Sequence, residues 1–199
     1  MRLADIHHKY DTDKGTHHSY INKYDEIFGP YKDEMFNFLE IGCLTCGSLK
    51  MFNEFFSQAH IYGLDNWAQN TDHIGHLLAN KGINISSIVE DINNNFPRIH
   101  LKTCDSTNTE QVLNRIHGLR FKFIIDDGDH SLEAQLQTFK NFIPYLESGG
   151  VYIVEDVGHI HQLAELMDLY LKEQNIEKQI ELQGWYKGNR ADDAIIVVK

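Results

Sequence analysis

Prolines are scarce in this chain: there are three in 199 residues. With no internal repeat, no low-complexity tract and no Pro/Gly/Ser linker, nothing marks a domain boundary, and residues 1–199 read as a single domain. Cysteines are equally few. Cys43, Cys46 and Cys104 make an odd count, which excludes a disulfide-stapled scaffold. No apolar run approaches the roughly 18 residues of a membrane-spanning helix. The opening MRLADIHHKY lacks the apolar core of a secretory signal. The expectation is a soluble, cytoplasmic protein with no membrane partner. Basic side chains are outnumbered, 18 Lys and Arg against 29 Asp and Glu, for a net charge of −11. That balance argues against a nucleic-acid phosphate backbone as partner.

What remains suits one globular core, since 42% of the residues are hydrophobic. The spacing of Ile21, Tyr24 and Phe28 predicts a helix in the N-terminal segment 1–35. FNFLEI (36–41), HIYGLD (60–65), RIHLKTCD (98–105), FKFIID (121–126) and GVYIVED (150–156) read as strands. GSLKMFNEFF (47–56), TEQVLNRI (109–116), LEAQLQTFKNFIPYL (132–146) and IHQLAELMDLYLKEQ (160–174) read as helices. Thr107 or Thr109 could cap the second of these. Between Asn66 and Pro97, LLANKG suggests a helix ending at Gly82, whereas NISSIVEDINNNFP fits either class. IEKQIELQGWYK (176–187) and AIIVVK (194–199) read as a final pair of strands with no helix between them. Strands alternating with helices predict an α/β fold with a doubly wound, mostly parallel, seven-stranded sheet. The last pair would form an antiparallel hairpin on its edge.

In such sheets ligands bind beyond the carboxyl ends of the strands. The first strand runs into EIGCLTCGS, where Gly42 permits a close approach and Gly47 and Ser48 open a helix with free backbone amides. Asp65, at the end of the second strand, stands where an acid can accept both hydroxyls of a ribose. Only two glycines are present, not the G-x-G-x-x-G of a pyrophosphate site. A cofactor without phosphates, such as S-adenosylmethionine, asks less of the loop, and Asp105 could receive its adenine. The plainer alternative is a tight turn with solvated acids. Cys43-Leu-Thr-Cys46 has the spacing of a redox pair or half a zinc site. Without a second pair the cysteines read instead as small buried residues.

The run FKFIIDDGDH raises a sharper question, because three acids and a base gather at one strand mouth. Asp126 and Asp127 end the fourth strand, and Glu155 and Asp156 end the fifth. Successive side chains point to opposite faces, so only some of these acids can share a site. Clustered carboxylates shift their pKa values or bind a cation. A hard divalent ion such as Mg²⁺ suits oxygen ligands. His130 can stand beside it. Helix capping by solvated acids is the bland alternative.

These motifs resemble class I S-adenosylmethionine-dependent methyltransferases. The closer resemblance is to the metal-dependent O-methyltransferases of macrolide sugars and the related cephalosporin-hydroxylase-like methyltransferases. The matching segments are DKGT (13–16), FLEIGCLTCGSLKMF (38–52), IYGLD (61–65), CDSTN (104–108), IIDDGDH (124–130), GGVYIVEDV (149–157) and RADDAIIVVK (190–199). The resemblance implies that the Gly42 loop, Glu40 and Asp65 hold the cofactor, with Gly47, Ser48, Asp105 and Asp126 on the same side. The DKGT segment would cover it, with Lys14 and Thr16 in contact. Asp127, Glu155 and Asp156 would ligate Mg²⁺, and His130 would be the general base. Asp129 stands where the family often has Ser. His159 and His161 match nothing in the family pattern. The N-terminal domain of the longer relatives is not matched.

The implied chemistry is methylation of a hydroxyl on a sugar or sugar-containing small molecule. The cation lowers the hydroxyl pKa and the imidazole takes the proton. A catechol or phenol is the competing acceptor, and Trp185 and Tyr186 could stack on either kind. A nicotinamide oxidoreductase, a non-catalytic nucleoside-binding protein and a histidine-rich metal store are the other classes weighed. The segment 66–97 exceeds a minimal crossover and could shape a substrate pocket or a contact between copies, and a homo-oligomer stays open.

Overall fold

The computed structural model describes residues 1–67, 84–185 and 192–199. The apolar runs form β1 (Asn37–Ile41), β2 (His60–Asp65), β3 (Ile99–Thr103), β4 (Phe121–Asp126), β5 (Leu146–Val154), β6 (Ile180–Gly184) and β7 (Ala194–Val198). They make one sheet in the order β3-β2-β1-β4-β5-β7-β6. The first five strands pair parallel, and β7 runs antiparallel to both β5 and β6. This is the doubly wound sheet with an antiparallel end that the alternation predicted. Within the final hairpin β7 lies inside and β6 forms the edge. The reason is composition: AIIVV is buried throughout, whereas IELQG is only partly covered.

The helices are α1 (Leu3–Ile6), α2 (Ile21–Phe28), α3 (Gly47–Phe55), α4 (Ile85–Asn95), α5 (Thr109–Ile116), α6 (Leu132–Phe142) and α7 (Ile160–Glu173). The ambiguous stretch after Asn84 is therefore helical from Ile85, and the Asn84 side chain caps it by accepting from the Ser86 and Ser87 amides. The cap of α5 is Asn108, which accepts from Gln111 N, and neither flanking threonine. Thr107 bonds Asp105 and Thr109 bonds Asn141 instead. The helix expected to end at Gly82, the 68–83 half of segment 66–97, and Tyr186 lie outside the described residues. No helix among the described residues is long and apolar enough to cross a membrane.

The two-residue period of the strands divides the core. Phe38, Phe123, Ile125 and Ile153 face one side, where α2 and α3 add Tyr24, Phe28, Phe52 and Phe56. Leu39, Ile41, Ile124, Tyr152 and Val154 face the other, under α5, α6 and α7. Phe28 packs edge-on against Phe38, Phe52 and Phe123, an aromatic cluster that fixes the N-terminal helix α2 to the sheet. The same alternation sorts the acids at the strand ends. Glu40, Asp127 and Glu155 fall on the α2 side, and Asp126 falls on the opposite side with Tyr152.

Candidate active site

The strand order reverses at β1, and the site lies beyond the strand ends there. The turn after β1 is strained by design. Gly42 has φ +82, Leu44 +41 and Cys46 +60. A Cβ on Gly42 would stand 1.9 Å from the Asp127 carbonyl oxygen, and one on Gly47 would stand 1.9 Å from that of Asp11. Both glycines thus admit neighbouring backbone, with φ a second demand at Gly42. The Asp65 carboxylate pins the turn by accepting from the Cys43 and Leu44 amides at 2.7 and 2.9 Å. Burial pushes Asp65 above the usual carboxylate range, and those N–H groups oppose the shift. Cys43 and Cys46 are buried free thiols. Burial holds both well above the ordinary thiol value, which fits small packing residues and not a reactive pair.

A cavity of about 1120 Å³ opens above this turn. Thr16, Gly42, Gly47, Ser48, Asp65 and Asp105 line it, together with Lys14, Asp127, His130 and Asp156. The strand-end acids of β2 and β3 therefore share one chamber with the acid–histidine group after β4 and β5. Glu40, Asp126 and Glu155, expected at the site, do not line the cavity. Ser48, expected to face a cofactor, donates to Glu40 at 2.5 Å. Asp105 accepts from the Thr107 amide and hydroxyl, which fixes the turn after β3.

Lys14 is the largest departure from expectation. Its side chain is 1% exposed and its ammonium is surrounded by carboxylates. Nζ lies 2.7 Å from Asp127 Oδ2, 2.7 Å from Glu155 Oε2 and 3.2 Å from Glu40 Oε1. Of the three N–H donors of the ammonium, two are hydrogen-bonded to Asp127 and Glu155, and the Glu40 carboxylate is the third charged neighbour. The Tyr24 hydroxyl donates to the other oxygen of Glu155. Glu155, expected as a metal ligand, is thereby held by Lys14 and Tyr24 away from the chamber.

Asp127, His130 and Asp156 each present one ligand atom, all within 4.8 Å of one another. His130 Nε2 lies 3.4 Å from Asp127 Oδ1 and Nδ1 lies 3.7 Å from Asp156 Oδ2. Two carboxylate oxygens and a nitrogen at that spacing fit a divalent cation. Electrostatics agree, because Glu40, Asp127 and Glu155 gather round a single lysine, with Asp156 beside His18 and His130. Burial raises Glu40, Glu155 and Asp156 above the carboxylate range. Burial also works on Asp127, but the Lys14 charge and His130 outweigh it and hold that carboxyl low. His130 is raised above the ordinary imidazole range, chiefly by its hydrogen bond to Asp127. Asp156 has φ +53, a left-handed backbone that a residue with a β-carbon seldom adopts.

Three further participants carried no periodic signal in the sequence. Tyr20 donates to Asp156 Oδ1 at 2.5 Å. His18, 2% exposed, lies with Nδ1 3.2 Å from the same oxygen and 3.5 Å from Asp193 Oδ1. Asp193 also accepts from Ser19 N, tying the start of β7 to the N-terminal segment. The signal available was the polar cluster DKGTHHSY in a stretch otherwise without pattern. His159 and His161 lie at the start of α7, and among the described residues neither makes a hydrogen bond or ion pair with this group.

The sheet order and the chamber at its switch point are those of the class I methyltransferase fold. The chain superposes over its whole length on the MycE methyltransferase of the mycinamycin biosynthetic pathway, solved with Mg and SAH, at a TM-score of 0.72 and 21% identity, covering 54% of that chain. By sequence it is similar to demethylmacrocin O-methyltransferase of Streptomyces fradiae, 30% identical over 163 residues, 78% of this chain and 36% of that protein. It is also similar to mycinamicin VI 2''-O-methyltransferase of Micromonospora griseorubida, 29% identical over 164 residues with 78% and 36% coverage. The chain thus spans about a third of the length of these curated relatives. No protein-family model matches it.

Proposed function

We propose that this chain binds S-adenosylmethionine and methylates a hydroxyl of a sugar or a sugar-bearing small molecule, assisted by a divalent cation, Mg²⁺ first among the candidates. The observation that carries the reading is the single chamber shared by the Gly42–Gly47 turn, Asp65 and Asp105 on one side and Asp127, His130 and Asp156 on the other. The named activities of the relatives point the same way.

Asp65 would receive the ribose hydroxyls and Asp105 the adenine. Thr16 belongs to the rim. Asp127 and Asp156 would hold the cation, with His130 beside it. The cation supplies a lowered pKa to a hydroxyl bound to it. The chain's own part is to align that oxygen with the activated methyl group and to take its proton on His130. Alignment alone can remove a large share of a barrier. The neutral imidazole is the form that can accept the proton, so methyl transfer should rise with pH as His130 loses its proton.

The test has two stages. Calorimetric titration with S-adenosylhomocysteine should show binding that Asp65→Ala weakens. Turnover should then be screened on deoxysugar glycosides with Mg²⁺. His130→Ala should lower turnover by about 10²–10⁴-fold, the usual worth of a general base, and leave cofactor affinity intact. A folded protein that binds no S-adenosylhomocysteine, or a His130→Ala variant as active as the parent, would refute the assignment.

A further inference from the structure

Each of the two carboxylates beside His130 has two oxygens, and the N-terminal segment meets one oxygen of each from behind. Lys14 Nζ takes Asp127 Oδ2 at 2.7 Å, which leaves Oδ1 toward His130 at 3.4 Å. Tyr20 Oη takes Asp156 Oδ1 at 2.5 Å and His18 Nδ1 lies 3.2 Å from that same oxygen, which leaves Oδ2 toward His130 at 3.7 Å. All three holders come from one short stretch, DKGTHHSY, and they are 1%, 2% and 0% exposed.

We infer that Lys14, His18 and Tyr20 are positioning residues that aim one oxygen of Asp127 and one of Asp156 at the point shared with His130. The inference rests on the proposed reading of that group as a cation and base centre. A carboxylate at a strand end can turn about χ2 and exchange its oxygens. A committed donor behind each carboxylate stops that turn. The Tyr20 hydroxyl has one proton and two acceptors, Asp156 Oδ1 and the Asp192 carbonyl at 3.3 Å, and the nearer carboxylate takes it. Lys14 also draws Glu40 and Glu155 to itself, so of the acids ending β1, β4 and β5 two face His130. The left-handed backbone of Asp156 is a second constraint on the same side chain. Outer partners of this kind ordinarily alter metal affinity or activity by about 10–100-fold.

The rival account is that these contacts only tie the N-terminal segment to the sheet. Tyr20→Phe separates the two, because the ring stays in the core and only the oxygen is lost. Mn²⁺ titrated into the protein without cofactor reads the centre directly. Tyr20→Phe should weaken Mn²⁺ binding at least about tenfold, while affinity for S-adenosylhomocysteine stays within about twofold. In turnover, kcat should fall with KM for the methyl donor unchanged. His18→Gln, which keeps a donor, should retain more Mn²⁺ affinity than His18→Leu. Lys14→Met leaves buried carboxylates without a countercharge and risks unfolding. The double variant Lys14→Met with Glu155→Gln removes one charge of each sign, which lessens that risk; once circular dichroism shows it folded, it should bind Mn²⁺ weakly. Parental Mn²⁺ affinity in Tyr20→Phe and in the double variant, with only a lowered melting temperature, would overturn the positioning role. A parent protein that binds S-adenosylhomocysteine but no Mn²⁺ would overturn the inference and leave cofactor binding standing.

Discussion

Asp126 and Asp127 are neighbours with opposite fates, and the strand period is the cause. Asp127 turns to Lys14 and stays ionised. Asp126 turns to the other face, 2% exposed, where burial pushes its carboxyl to about 7. The Gly128 amide and the Tyr152 hydroxyl, both at 3.4 Å, offset little of that. Between the ordinary value near 3.8 and about 7 the native state keeps a proton that the unfolded chain has released. Stability contributed by this group is therefore full at low pH and lost as pH rises through that window. At about 1.4 kcal/mol per unit the loss amounts to a few kcal/mol. Asp126→Asn should flatten the decline. Urea midpoints at pH 4.5 and 8, taken with a chelator present, check it, and a variant that declines as steeply as the parent would refute the assignment. Gly42 teaches a related lesson. Its need for close approach was legible in the sequence, and one group that approaches is the Asp127 carbonyl. Gly42→Ala would meet both that oxygen and a left-handed φ. It should therefore destabilise the chain far beyond the roughly 1 kcal/mol of an ordinary glycine replacement, read as a collapse of the melting temperature.

At the scale of elements, the sequence was most legible where burial on both faces leaves an uninterrupted apolar run. HIYGLD and FKFIID become β2 and β4 residue for residue, and TEQVLNRI becomes α5. What stayed illegible depends on contacts distant in sequence. Nothing local says that Lys14 lies under Asp127, over a hundred residues later, or that Tyr24 meets Glu155. The acids at the ends of β4 and β5 were legible as a group, whereas their division between chamber and lysine needed the N-terminal segment in place. Caps are intermediate. The start of α5 was legible but its capping residue was not, because Asp105 and Asn141 claim the two threonines first. Asn108→Ala should cost about 1 kcal/mol through loss of the α5 cap. Chemical denaturation measures this directly, and an unchanged midpoint would show that the cap contributes nothing.

At the scale of the molecule, the distribution of charge decides how the chain depends on a cation. The net charge of −11 is not spread evenly, since three carboxylates meet at the ends of β1, β4 and β5 around Lys14. A structural metal site of bare acids would leave the apo chain unfolded. Here the lysine is a permanent cation that neutralises part of the group, and the core residues Tyr20 and Tyr24 hold Asp156 and Glu155 by hydrogen bonds. The apo protein should therefore stay folded, with its sheet intact. A divalent cation that binds the native state alone then adds stability by mass action, about 2.7 kcal/mol at a hundred times its dissociation constant. For a domain of this size that is a rise of roughly 5–10 °C in melting temperature. Thermal melts across a series of Mg²⁺ and Mn²⁺ concentrations should climb with cation concentration and fall back when chelator is added. Asp127→Asn and Asp156→Asn should each abolish the climb, while Glu155→Gln, whose carboxylate faces Lys14 and Tyr24, should keep it. A climb lost in Glu155→Gln and kept in Asp156→Asn would move the cation to the lysine side of the group. No climb in the parent at millimolar cation would remove the metal from the site altogether.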